Sequence, residues 1–337
     1  MSEPALIPAV PETLPWHEAL WKRVFEMQAH DRFPHALLLS GPRGVGKERF
    51  ARRLAGALVC ESAEITSRPC GECRSCQLSM AGTHPDIQWL APEEEGKAIR
   101  IDAVRDLIGR STLTTQAKGM RVFVISPADA MNRAAANALL KTLEEPVPSS
   151  CLLLVSSAPH RLPATILSRC QKLVFPPVAQ AAASTWLHAH AGAEGSDAAL
   201  ALAGGAPLLA GTYLEQGRLD QIGRLISDMQ ALKNRKANPI AVAETWANLG
   251  AQAVLDSLKY VINDLVLASA AVSPRLFLPL HREDLQALIK NIHLQELFRF
   301  MDELFSLERQ LGHNLNPLML TEKLVNSWLD TTRPEKN

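Results

Sequence analysis

Apolar positions along this chain change their period part-way through. Up to about residue 177, short apolar runs alternate with segments of helical spacing. The runs are Ala36-Leu37-Leu38-Leu39, Ile87-Gln88-Trp89-Leu90, Val122-Phe123-Val124-Ile125, Leu152-Leu153-Leu154-Val155 and residues 172–175. All five read as strands, and the continuous runs over 122–125 and 152–155 predict strands buried on both faces of a parallel sheet. Between them, Trp16, Leu20, Val24 and Met27 share one helix face, and Phe50, Leu54, Ala57 and Leu58 another. A third helix, carrying Ala136, Leu139, Leu140 and Leu143, is ended by Pro146. An acidic loop over 92–96 precedes a short helix over 101–108, with Asp102 as its expected cap. Strand and helix in alternation predict an α/β doubly wound domain over residues 1–177.

After Pro176-Pro177 the spacing becomes helical throughout. Leu219, Ile222, Leu225, Ile226 and Met229 form one face; Leu258, Val261, Ile262 and Leu265 a second; Leu294, Leu297, Phe298, Met301, Leu304 and Phe305 a third. Residues 178–210, closed by Gly204-Gly205-Ala206-Pro207, read as a small helical domain, and 211–337 as an all-α domain with an oligomerisation surface. A plain helical core without a partner fits the same pattern. No repeat or low-complexity stretch interrupts it, and the tail from 333 reads as loose.

Composition narrows the function. At 337 residues the chain is long enough for two or three cores. Thirty-five basic residues balance thirty-five acidic ones, so no global field draws the protein to nucleic acid, although a local basic face remains open. No apolar run reaches the ~20 residues of a membrane span, and Met1-Ser2-Glu3-Pro4 lacks a charged-then-apolar signal. A cytoplasmic address is the expectation, with no membrane partner.

Chemistry enters at Gly41-Pro42-Arg43-Gly44-Val45-Gly46-Lys47-Glu48, between the first strand and the helix carrying Phe50. This is a G-x-x-x-x-G-K-[ST] phosphate-binding loop in strand–loop–helix context, with Glu48 in place of the magnesium-binding hydroxyl. A carboxylate there brings negative charge toward phosphates. The second magnesium position, at the end of the strand over 122–125, is held by Ser126 and Pro127, neither a strong ligand nor a base. Asp129 lies beyond the strand end, past Pro127. Two separate lesions predict a degenerate loop that does not hydrolyse nucleotide. Gly41, Gly44, Gly46 and Lys47 survive, so binding without turnover stays open.

Six cysteines give the second signal. Cys60, Cys70, Cys73 and Cys76 crowd one stretch, whereas Cys151 and Cys170 stand apart. In a reducing compartment, overlapping C-x-x-C pairs with one further Cys upstream read as a metal site rather than a disulfide or redox framework. Four thiolates complete a closed tetrahedral shell, which predicts structural Zn²⁺ with no open position for catalysis. The module occupies an insertion at about 60–84.

These residues carry a family resemblance over essentially the whole chain. The loop from Gly41 to Lys47, the cysteine insertion, Asn137-Ala138-Leu139-Leu140-Lys141-Thr142-Leu143-Glu144-Glu145-Pro146 and Ile166-Leu167-Ser168-Arg169-Cys170 resemble the clamp-loader subunits of bacterial DNA polymerase III, in the AAA+ superfamily. The damaged magnesium positions, Thr83-His84-Pro85-Asp86 and Gly205-Ala206-Pro207 are similar to its non-hydrolysing delta-prime branch. The motor branch would carry a nucleotide-sensing arginine in that last segment. Asn314-Leu315-Asn316-Pro317 resembles the start of the last collar helix.

The resemblance implies a P-loop (RecA-like) AAA+ domain, a small helical lid and a C-terminal helical collar. It implies a hetero-pentamer with tau/gamma motor subunits and a delta subunit, part of a DNA polymerase holoenzyme that sets a sliding clamp on primer–template DNA. Arg169, flanked by Ser168 and Cys170, would then be an arginine finger acting in trans on a neighbour's ATP. Taken from the residues alone, an arginine there can equally pair with Glu144 or Glu145, and Cys170 can be a small packing residue. Lys118, Arg133 and Lys141 are candidates for backbone-directed contacts to DNA, or ordinary solvated cations. Two other classes stay open: an active motor ATPase using Lys47 with Glu48 or Asp129, and a zinc-dependent DNA-binding module. Only Arg68 and Arg74 lie within the insertion, with Arg53 just before it, which is thin charge for a primary grip.

Overall fold

A computed structural model describes residues 13–29, 33–94, 96–111, 120–270, 276–310 and 316–333. It resolves into two compact units, one up to Val178 and one from Ala179. The first unit runs α1 (Glu18–Ala29), β1 (Ala36–Ser40), α2 (Lys47–Val59), α3 (Arg74–Met80), β2 (Ile87–Leu90), α4 (Ile101–Ser111), β3 (Arg121–Ile125), α5 (Arg133–Glu144), β4 (Ser150–Ser156), α6 (Ala164–Leu167) and β5 (Gln171–Val174).

All five strands are parallel, in the order β2-β3-β4-β1-β5, which is the P-loop AAA+ sheet the resemblance implied. Every residue of β1 and β3 is buried, because helices cover both faces. Leu37, Leu39, Val122, Val124, Leu153 and Leu173 pack toward α2; Leu38, Phe123, Ile125, Leu152 and Leu154 pack toward the layer holding α4 and α5. Successive strand residues thus feed two cores, as period-two geometry requires. Cys151 lies in the first core and Cys170 in the second, so both pack rather than ligate.

Local chemistry fixes several ends differently from the sequence expectation. Pro15–His17 forms a 3₁₀ turn ahead of α1, so the first helix starts later than its apolar spacing implied. Asp102 is the second residue of α4 rather than its cap; there it favours the positive end of the helix and lies 3.7 Å from Arg105. Asn132 does cap α5, accepting the Ala135 amide at 2.8 Å.

In the second unit, α7 (Gln180–Ala191), α8 (Ser196–Leu202) and α9 (Pro207–Glu215) pack on one another. Gly204-Gly205-Ala206-Pro207 is the hinge between α8 and α9 rather than the end of this segment, and position 210 falls inside α9. α10 (Arg218–Lys233), α11 (Pro239–Leu249), α12 (Ala251–Ala270), α13 (Arg282–Ile289), α14 (Leu294–Gln310) and α15 (Pro317–Thr331) follow. They share one core centred on Trp246, Leu258, Phe300 and Trp328, which Leu202 of α8 also joins. Asn316 caps α15 through the Leu318 amide; Asn314 and Leu315 lie outside the described residues. No helix among the described residues is long and apolar enough to cross a membrane.

The loop after β1 is held against the strand that follows Arg169. A Cβ at Gly41 would stand 2.4 Å from the Phe175 carbonyl oxygen and 2.9 Å from the Phe175 Cβ, neither of which can move without shifting the backbone. Gly41→Ala is therefore expected to cost about 1–3 kcal/mol of stability by overpacking, read as a lower urea midpoint with an unchanged slope.

Candidate functional site

The phosphate-loop residues gather at the carboxyl end of β1, the crevice side of an open parallel sheet. Gly44 and Gly46 have positive φ (74° and 91°), which turns the chain into the first turn of α2. Lys47 is 5% exposed, and its ammonium donates to the Pro42 carbonyl at 2.6 Å and to Ser157 Oγ at 2.9 Å. Burial lowers its pKa to about 8, opposed by the nearby Asp129 carboxylate and assisted by the Arg43 guanidinium. The lysine is thus engaged with its own loop and with the segment leaving β4.

Asp129 belongs to the same network. Its Oδ1 accepts the Ser157 amide at 3.0 Å. Burial opposes its ionisation, but hydrogen bonds from Ser156, Ser157 and Ala158 outweigh that and hold its pKa below the usual carboxylate value. Glu48 points elsewhere: it pairs with Arg52, four residues on, at 2.8 Å along the surface of α2. Arg52 in turn lies over the Trp89 ring, 4.5 Å from its centroid. The glutamate expected at the phosphates is spent on its own helix.

Two residues escaped the sequence reading. Trp16 Nε1 donates to the Val45 carbonyl at 2.9 Å, and His17 Nε2 lies 2.8 Å from the same oxygen. His17 packs edge-on against Phe50 and Phe175, and burial lowers its pKa to about 4 despite the bond to Val45. Together they strap the segment before α1 onto the phosphate loop. Apolar spacing put Trp16 on a helix face, and nothing in the sequence linked it to a residue twenty-nine positions away.

Arg169 stands at the other edge of the sheet. Gln171 pairs level with Leu37, and Gly41 comes four positions after Leu37, just past the end of β1. At about 3.3 Å per residue, the loop begins roughly 13 Å farther along than Gln171, and Arg169 precedes Gln171. The guanidinium is half-exposed: one nitrogen donates to Glu144 Oε1 at 2.7 Å, another to the Thr165 carbonyl at 3.1 Å and to Ser168 Oγ at 3.3 Å. The carboxylate pairing open from sequence is thus made with Glu144. Exposed pairs of this kind are worth about 0–1 kcal/mol. On α5, Arg133 and Lys141 are exposed on one face with Asn137; Lys118 lies outside the described residues.

The four cysteines of the insertion do converge. Their sulfurs all lie within 4.8 Å of one another, with Cys60–Cys73 at 4.0 Å and Cys70–Cys76 at 3.9 Å. A tetrahedral Zn–S shell with bonds near 2.3 Å has sulfur–sulfur edges of about 3.8 Å, so the set fits. Backbone amides of Cys70, Cys73 and Cys76 donate to the sulfurs of Cys60, Cys70 and Cys73, stabilising anionic ligands. The Cys73 and Glu72 amides lower the Cys70 thiol to about 6, whereas burial raises Cys60 and Cys76. The set can hold a metal ion, with no fifth position for substrate.

Comparison with known proteins gives a consistent result. Residues 16–179 match the family described as "DNA polymerase III, delta subunit", and residues 216–329 match "DNA polymerase III, delta subunit, C terminal". The chain is 43% identical over 236 residues to the DNA polymerase III subunit delta' of Pseudomonas aeruginosa, covering 69% of this chain and 70% of that protein. It is 36% identical over 173 residues to the Escherichia coli K12 subunit delta', covering 51% of this chain and 52% of that one. The DNA polymerase III subunit tau of Bacillus subtilis is 37% identical over 145 residues, covering 43% of this chain but 25% of tau.

Two outcomes follow. Cys73→Ser is expected to abolish stoichiometric bound zinc and unfold the insertion while the sheet still melts cooperatively; unchanged zinc by elemental analysis would defeat the four-thiolate assignment. For Lys47, the folded pKa near 8 lies below the unfolded 10.5. The unfolded chain therefore binds more protons between those values, and stability rises with pH across that window. The stability of wild type relative to Lys47→Met should accordingly improve from pH 8 toward 10.5, measured by denaturant unfolding.

Proposed function

The chain belongs to the delta-prime clamp-loader family of DNA polymerase III, and on that premise we propose that it is a non-hydrolysing subunit lending Arg169 to a neighbour's ATP site. The observation that carries the reading is the separation of its two charged devices along β1 and β5. The loop holding Lys47 opens at the carboxyl ends of the strands, while Arg169 projects from the amino ends. An arginine so placed cannot serve its own loop, and Glu144, its carboxylate partner among the described residues, is surface-exposed.

The loop's own hydrolysis lacks its parts. Glu48 is paired with Arg52, Ser126 and Pro127 close the second magnesium position, and Asp129 is engaged by Ser157. The active-motor reading needs one of these carboxylates freed for metal, against the hydrogen bonds that hold it. In the proposal, the neighbour is a motor subunit of the tau/gamma type, this chain being similar to tau over 145 residues. The guanidinium neutralises charge on the transferring phosphoryl group, an effect worth typically 10³–10⁵ in rate, roughly 4–7 kcal/mol.

The remaining assignments belong to the same proposal. Residues 1–177 act as the nucleotide-binding-like domain, 178–210 as a lid, and 211–337 as the collar that joins a hetero-pentamer with motor and delta subunits in the cytoplasm. Zn²⁺ held by Cys60, Cys70, Cys73 and Cys76 staples the insertion. Arg133 and Lys141 lie near the primer–template backbone, and the complex sets the sliding clamp on primed DNA. Reconstitution with motor and delta subunits tests the central point. Arg169→Ala should lower DNA-stimulated ATPase by at least tenfold per affected site while the complex still assembles on gel filtration. An unchanged rate would refute the finger; hydrolysis by the purified chain alone, lost in Lys47→Ala, would favour the motor reading instead.

A further inference from the structure

The cysteine cluster poses an assembly problem that its spacing does not solve. Cys70, Cys73 and Cys76 are placed by local backbone: the sulfurs of Cys70 and Cys73 each meet an amide three residues on, and that of Cys76 meets the Gly71 amide in the same knuckle. Cys60 is different. It terminates α2, and its sulfur meets the Cys70 amide at 3.5 Å only across a nine-residue excursion whose closure costs conformational entropy. Something must hold that end of α2 against the knuckle for the fourth sulfur to reach the others.

The residue beside it does so. Glu61 Oε1 accepts the Ser75 hydroxyl at 2.7 Å and the Ser75 amide at 3.2 Å. Ser75 is buried, and it immediately precedes Cys76. One turn later on the same face of α3, Ser79 approaches α2 so closely that a Cβ at Gly56 would stand 3.2 Å from its hydroxyl. Thus α3 is docked on α2 at two levels, by close packing at Gly56 and by a carboxylate at Glu61. The excursion between is itself folded: Arg68 donates through two nitrogens to the Ser62 carbonyl, and Ser62 meets Ser67 at 2.9 Å.

We propose that Glu61 is the positioning residue of the metal site, fastening the Cys60 end of α2 to the Ser75–Cys76 step of α3 through these two hydrogen bonds. The inference rests on the thiolate set binding zinc. Glu61 is not a ligand: the converging group consists of the four sulfurs, and the Oε1 oxygen is engaged by Ser75. Its task is to supply an acceptor of the right length at one place, and outer partners of this kind typically change metal affinity 10–100-fold when removed.

The test uses the purified full chain. Zinc content is measured by elemental analysis, and zinc release to a chromogenic chelator is timed for wild type, Glu61→Ala, Glu61→Gln and Ser75→Ala. Cobalt(II) titration reads the thiolate shell by its sulfur-to-metal absorption. Glu61→Ala should release zinc 10–100-fold faster and lose cobalt–thiolate intensity, while the main thermal transition of the zinc-loaded chain stays in place. Glu61→Gln keeps an acceptor oxygen and should remain within a few-fold of wild type; Ser75→Ala, which keeps only the amide, should fall between. Wild-type release in Glu61→Ala, or Glu61→Gln no better than Ala, would overturn the proposal. A wild-type chain that takes up neither zinc nor cobalt would instead overturn the metal reading beneath it.

Discussion

Parallel pairing of β1 with β5 is the constraint on which the site arrangement depends. Because the strands run the same way, the loop leaving β1 and the residue entering β5 must lie at opposite edges. The sheet holds this separation rigidly, since helices bury both its faces and β1 is central in its order. Phe175 reinforces the arrangement by packing its backbone against Gly41, so the exit of β5 and the loop form one rigid corner.

At that corner the polar groups are satisfied from within the chain. Lys47 is buried and must find acceptors, which the Pro42 carbonyl and Ser157 hydroxyl provide. Asp129 offsets its desolvation with amides at the end of β4, and its charge in turn keeps Lys47 from being lowered further. Trp16 and His17 hold the Val45 carbonyl from the other side. The result is a network linking the segments before α1, after β1, after β3 and after β4. Each member costs free energy to bury alone and is stabilised by the others.

The cysteine insertion follows a different physical logic. A stretch of some twenty-five residues with few apolar side chains cannot assemble a core of its own, and its four sulfurs converge within 4.8 Å, as a set that can hold a metal ion. Cys60, the one upstream member of the set, caps α2, so the cluster joins the insertion to the helix that follows the phosphate loop. Close approach at Gly56 and the Glu61–Ser75 bonds keep the two helices in register.

Much of this was legible in the sequence because it reports on burial and on covalent spacing. Strands buried on both faces leave continuous apolar runs, so β1, β3 and β4 were readable that way, the edge strands β2 and β5 showed shorter apolar signals, and the helical second half and the four cysteines were readable too. The losses at Glu48 and Ser126-Pro127 were readable too, since a motif fixes which residue should stand where. What the sequence did not determine is where polar side chains find partners. Glu48 was expected at the phosphates but pairs with Arg52, because a long flexible carboxylate on a helix meets a cation four residues on. Arg169 carried two readings that differ only in its surroundings, and tertiary structure brought Glu144 within 2.7 Å. Lys47 with Ser157, Trp16 with Val45 and Glu61 with Ser75 join positions far apart along the chain. Periodicity records which face of an element is dry; only the packed sheet decides which ends of different elements meet, and hydrogen bonds are made there.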